Sequence, residues 1–127
     1  MTIFVSYTTR DYYVDRELLQ AIPEVLSGCG DFYIDLLHND SVDKQGHVVL
    51  MLSKAKMLLL ISSGSIKKSK WVQWELKQAR IMRIPVISVQ ASPNREQTLA
   101  SLKSHVVFAC ESLTVQSTRA QLSCADG

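Results

Sequence analysis

The sequence predicts an α/β fold, a flavodoxin-like three-layer sandwich with a five-stranded parallel sheet of order 2-1-3-4-5 and helices on both faces. Two observations carry this. Apolar runs of strand length fall at residues 3–6, 32–35, 57–62, 85–89 and 106–109, and segments of helical spacing separate them. The chain has 127 residues, 46% of them apolar, which suits one domain around one packed core.

The first strand, Ile3-Phe4-Val5-Ser6, is apolar up to its last position, as burial on both faces requires. A polar loop follows, and Asp11 at its end is read as the N-cap of a helix. In that helix Val14, Leu18, Ile22 and Val25 recur at helical spacing. Pro23 should kink or restart it, and Gly28 and Gly30 end it. Residues 32–35 make the second strand and 36–40 a loop. Ser41 is read as the cap of a helix to about Lys54. Residues 57–62 form a buried strand and 63–68 a loop, and Ser69 caps a strong helix to Met82. Pro85 opens the fourth strand, where its missing N–H is tolerated. A helix from Pro93 to about Lys103, a fifth strand at 106–109 and a last helix at 117–122 complete a single domain over 1–122. Residues 123–127 are expected to be a frayed tail.

Composition excludes several classes. The formal net charge is +2, too small to favour nucleic acid or an anionic membrane surface. Cys29, Cys110 and Cys124 are far apart, no CxxC pair occurs, and His38, His47 and His105 are scattered, so no metal site is expected. Three thiols without a disulfide framework suit a reducing compartment. No signal peptide is expected. The longest apolar stretch, 48–61, is broken by Lys54 and Lys56 and falls short of the ~20 residues of a membrane span. A cytoplasmic protein with no nucleic-acid or membrane partner is the expectation.

In a sheet of the expected order, ligands bind beyond the carboxyl ends of the strands, at the switch point between strands 1 and 3. Residues 6–11 and 62–69 line that crevice here, and the helix after Ser69 borders it. Gly28-Cys29-Gly30 precedes a strand, so it is a helix stop and not a dinucleotide-binding loop. Neither GxxxxGK[ST] nor GxSxG occurs. Lys67, Lys68 and Lys70 form either a solvated loop or an attractor of phosphate groups toward the helix end.

The helix after Ser69 contains one anomaly. At ~100° per residue from Trp71, Arg80, Gln73 and Lys77 gather at roughly 180–240°, the wet face. Trp74, Ile81, Trp71, Met82, Ala79, Val72 and Leu76 fill the apolar arc. Glu75 falls near ~40°, in the middle of that arc and one turn from Trp71. A carboxylate there is costly unless it is paired or serves a site. One carboxylate can stabilise or attack a sugar carbon that becomes positive. A pyridinium leaving group needs no general acid, because it departs as neutral nicotinamide. Glu75 beside a stacking Trp71 is therefore sufficient in principle to cleave NAD at its nicotinamide–ribose bond.

The same residues carry a resemblance. Phe4-Val5-Ser6-Tyr7 with Asp11 resembles the opening F-[IV]-S-Y…D of Toll/interleukin-receptor (TIR) domains. Phe32-Tyr33-Ile34-Asp35 is similar to that family's second strand with its terminal Asp. Leu58-Leu59-Leu60-Ile61-Ser62, Ser69-Lys70-Trp71 and Glu75-Leu76 are similar to its third strand and its S-x-W-x-x-x-E-L helix, and Pro85-Val86-Ile87 to its fourth strand. The likeness runs over residues 3–89 and more weakly to Phe108. It differs after Asp35, where Leu-Leu-His-Asn-Asp replaces the usual early glycine and Gly46 is the first candidate.

The resemblance implies an NAD glycohydrolase or cyclase. It would release nicotinamide and ADP-ribose products, linear or cyclic, in immune, cell-death or anti-phage signalling. Glu75 corresponds to the family's catalytic residue. Trp71, Tyr7, Thr9, Arg10, Asp35 and Ser69 are the expected substrate-binding residues. NAD is the substrate and no cofactor is implied. The partner would be a second copy or another TIR-containing chain. Two alternatives stand beside this: a non-catalytic TIR adaptor that assembles through residues 36–40, and an enzyme that transfers ribosyl groups from free nucleosides.

Overall fold

The structure is a computed structural model that describes residues 2–34 and 43–126, with side chains to residue 111. Four parallel strands form its sheet: β1 (Thr2–Ser6), β2 (Asp31–Ile34), β3 (Ala55–Ser62) and β4 (Val86–Gln90), in the order β2-β1-β3-β4. The register is set from the centre outward. Phe4 stands beside Tyr33 on one side and Leu58 on the other, and Leu59 stands beside Ile87.

Strand parity then builds the layers, because successive side chains point to opposite faces. Ile3 and Val5 join Ile34, Met57, Leu59, Ile61 and Val89 in one core cluster. That face is covered by α1 (Arg16–Val25), through Leu18, Leu19 and Ile22, and by α4 (Arg95–Asp126), through Leu102 and Val106. Phe4 points the other way and joins Tyr33 and Leu58. Over that face lie α2 (Lys44–Ser53), through Val48 and Leu52, and α3 (Lys70–Ile81), through Ala79. The result is an α/β protein of three layers. Among the described residues, no helix is long and apolar enough to cross a membrane.

Helix starts follow side-chain oxygens that satisfy first-turn amides. Asp15 accepts from the Leu18 amide at 2.9 Å, Asp43 from Gly46 at 3.0 Å, Ser69 from Val72 at 3.2 Å, and Asn94 from Gln97 at 3.1 Å. Two expected caps are therefore corrected. Asp11 does not cap α1, because the helix begins one turn later at Asp15. The helix α4 begins after Asn94 and not at Pro93. Ser41 lies outside the described residues, and the cap seen is Asp43. Pro23 neither stops nor restarts α1, which runs two residues past it to Val25. Near a helix end the lost amide bond affects only the last turn. The end of α3 is closed by Arg83 at a φ of 58°, with the Ile84 amide on the Ala79 carbonyl at 2.9 Å and the Arg83 amide on Arg80 at 3.1 Å. This is the double bond of a Schellman end, built here on a non-glycine residue.

The expected fifth strand does not form. Residues 106–109 lie inside α4, which continues through the expected last helix to Asp126, so among the described residues the sheet has four strands and not five. Val106-Val107-Phe108 has strand-like composition, but its burial does not alternate. Leu99, Leu102, Val106 and Cys110 pack against the sheet at helical spacing, while Phe108 is exposed. Packing along one helical stripe overrides local propensity.

Candidate functional site

The site lies at the carboxyl end of the sheet, beside β1 and the start of α3. Ser6 is the last residue of β1 and shares parity with Phe4, so it points to the face that α3 covers. On α3 the buried residues are Val72, Glu75 and Ala79, one stripe facing the sheet. Ala79 fills the core, and Glu75 lies one turn nearer the helix start, over the strand ends. There Ser6 Oγ donates to Glu75 Oε1 at 2.8 Å. Ser6 is fully buried and Glu75 is 2% exposed, which places a carboxylate inside the fold.

One side of this pair opens on a cavity of about 160 Å³ lined by Tyr7, Thr8, Thr9, Trp71 and Glu75. Trp71 is half-buried and stacks at a tilt on Trp74, with ring centroids 5.2 Å apart. That contact leaves Trp71 as a fixed apolar wall one turn from the carboxylate. Pockets that enclose a whole drug-sized ligand hold roughly 300–1,000 Å³. This cavity therefore encloses one ring or sugar, and a larger ligand would extend across its open side.

The loop after β1 is shaped and then anchored. Thr8 Oγ1 accepts from the Arg10 amide at 3.3 Å, a local turn that sets Thr8 inward and Thr9 outward. Asp11 then ties this loop to the one after β3: its carboxylate accepts from the Ser65 amide at 2.8 Å and the Ser65 hydroxyl at 3.0 Å. The Gly64 amide donates to the Tyr13 hydroxyl at 3.2 Å. Ser63 Oγ is buried and meets no partner at standard hydrogen-bond geometry, yet its hydroxyl is the largest influence on the Asp11 carboxyl. With the Ser65 amide and hydroxyl and the Lys68 charge, against partial desolvation, it holds that carboxyl below the usual range.

A carboxyl depressed on folding stabilises the fold above its unfolded value, about 3.9, and that stability is lost as pH falls through the lower folded value. Asp11→Asn is therefore expected to melt below wild type at pH 7. The gap should stay constant down to about pH 4.5 and close in more acid solution. Thermal melts of both proteins across this range check it, and a gap independent of pH would assign the effect to shape and not to charge.

Of the expected site residues, Glu75, Trp71, Tyr7 and Thr9 come together around one cavity. Ser69 does not line it: its hydroxyl is used as the cap of α3. Arg10 is exposed and outside the lining, as are Lys67, Lys68 and Lys70. Asp35 and the loop 36–40 lie outside the described residues. Ser6 and Thr8 fall within the 6–11 stretch expected to line the crevice, but the sequence gives neither an individual role. A polar residue ending an apolar strand run was the available signal for Ser6.

No protein-family model matches the chain, and a search of curated proteins finds no match.

Proposed function

We propose that this chain is a flavodoxin-like TIR-type domain that cleaves NAD at the nicotinamide–ribose bond. The sheet order supports the fold part, since β2-β1-β3-β4 is the start of the 2-1-3-4-5 order. The observation that carries the chemistry is Glu75, held by Ser6 at 2.8 Å and facing a cavity walled by Trp71.

The nicotinamide-ribose end enters the cavity, with Trp71 against an aromatic or sugar face and the loop from Tyr7 to Thr9 against its edge. The bond between C1′ and the pyridinium nitrogen breaks, and its electron pair leaves with neutral nicotinamide. Positive charge then builds on C1′, where the Glu75 carboxylate stabilises it or forms a transient ester. Water captures C1′ to give ADP-ribose, or a hydroxyl or ring nitrogen of the same molecule captures it to give a cyclic product. The remaining adenosine diphosphate portion lies across the open side. Self-association, or assembly with another chain of this type, accompanies this role.

Incubation of the purified protein with NAD, at low and high protein concentration, followed by mass spectrometry of nicotinamide, tests the proposal. Release that scales with protein is expected. No release at either concentration would overturn it. Release from free nucleosides but not from NAD would move the activity to nucleoside ribosyl transfer.

A further inference from the structure

We infer that Cys29 and Cys110 form a redox-modification site, in which a hydroperoxide joins them as an intramolecular disulfide linking α4 to the turn before β2. Cys29 stands in the turn between α1 and β2, flanked by Gly28 at a φ of 94° and Gly30 at 127°. Such values suit glycine, so the turn brings Cys29 to its place without strain on a side-chain-bearing residue. Cys110 lies 81 positions further on, and its Sγ is 3.9 Å from the Cys29 carbonyl oxygen. Both thiols are half-buried against the same core cluster. The Lys56 Nζ donates to that same carbonyl, which pins the turn to the start of β3.

The two thiols act on each other directly. Burial raises the Cys29 pKa first, the neighbouring Cys110 thiol raises it further by charge and hydrogen bonding, and Lys56 works against both. Burial thus disfavours the Cys29 thiolate. In the proposed sequence of steps Cys110 is the attacking sulfur. Its thiolate attacks the O–O bond of the peroxide, giving a sulfenic acid and one hydroxide. The Cys29 thiolate then displaces hydroxide from that sulfur and the S–S bond forms. Two thiols and one hydrogen peroxide become one disulfide and two waters. A reducing compartment keeps the pair open, and an oxidant closes it.

The pair sits at the amino ends of the strands, where β2 and β3 begin, and Glu75 lies over their carboxyl ends. The NAD chemistry and this site are therefore independent. The full chain carrying Cys124→Ser, which removes exchange with the third thiol, is treated with hydrogen peroxide in native buffer, alkylated and digested. The expected product is a Cys29–Cys110 linked peptide pair, two hydrogens lighter than the reduced peptides. Its yield should not change with protein concentration, and a thiol reductant should reverse it. The oxidised protein should melt roughly 5–15 °C higher, because the bond closes a long loop. Recovery of both cysteines as alkylated thiols, as separate sulfinic acids or in links between molecules would overturn the site. An unchanged melting temperature in the linked protein would overturn its action as a staple. Adding Cys110→Ser should abolish the link, and where that variant does not fold, the peptide map without it still decides.

Discussion

Replacing Glu75 with Gln should lower nicotinamide release from NAD by roughly 10³-fold or more while leaving the fold in place. The amide has nearly the shape of the carboxylate, and its oxygen still accepts from the Ser6 hydroxyl that stands 2.8 Å from Glu75 Oε1. The stripe of Val72 and Ala79 is untouched, so packing of α3 on the sheet survives. In the proposed reaction, what is removed is the negative charge beside C1′ at the moment that carbon becomes positive. Glu75 itself is only 2% exposed, so water does not readily replace that charge. The loss should appear in kcat, with KM near wild type, because Trp71 and the loop from Tyr7 to Thr9 remain. Nicotinamide release over a range of NAD concentrations, with melting temperature measured alongside, checks both halves. Activity within about tenfold of wild type would show that Glu75 is not the group acting on the ribosyl carbon.

Most of what positions this site was legible in the sequence, for identifiable reasons. The strands at Met57–Ile61 and Ile3–Val5 are continuous apolar runs, and burial on both faces leaves no other use for them. The helix after Ser69 was legible twice, from its cap and from a wheel whose wet residues Gln73, Lys77 and Arg80 are all exposed. The same wheel placed Glu75 inside, where it is, but it also placed Ile81 inside, where it is not: Ile81 is 64% exposed at the helix end. Ile81 stands at ~280° on that wheel, far from the buried stripe of Val72, Glu75 and Ala79 at ~40–100°, while Met82 beyond it still packs on the core, so the buried arc is narrower than the apolar arc. The strand-like composition of Val106 to Phe108 misled because propensity is local while burial on the sheet is not. Asp11 was visible as an important polar residue and assigned to the wrong bond. Capping needs only residues nearby in sequence, whereas its real partner, Ser65, is 54 positions away. The pairing of Ser6 with Glu75 spans 69 positions and follows from strand parity only once the layer order is known.

That pairing leads to the second large effect. Ser6→Ala should reduce kcat about 10–100-fold and cost roughly 1–3 kcal/mol of stability, because a hydroxyl donor to a buried carboxylate is removed. Ser6 is fully buried, so solvent does not readily substitute for it. In the proposed reaction its role is positioning, because its hydroxyl holds one oxygen of the Glu75 carboxylate. Ser6→Thr keeps the hydroxyl and should recover most of the lost kcat. The combination with Glu75→Gln separates positioning from simple loss of structure. Once the carboxylate is gone there is nothing left to aim, so Ser6→Ala should lower the residual activity of Glu75→Gln by no more than about twofold. Equal losses in both backgrounds would mean that Ser6 supports the fold alone. A strong loss in wild type and almost none in the Glu75→Gln protein would tie the two residues to one catalytic task.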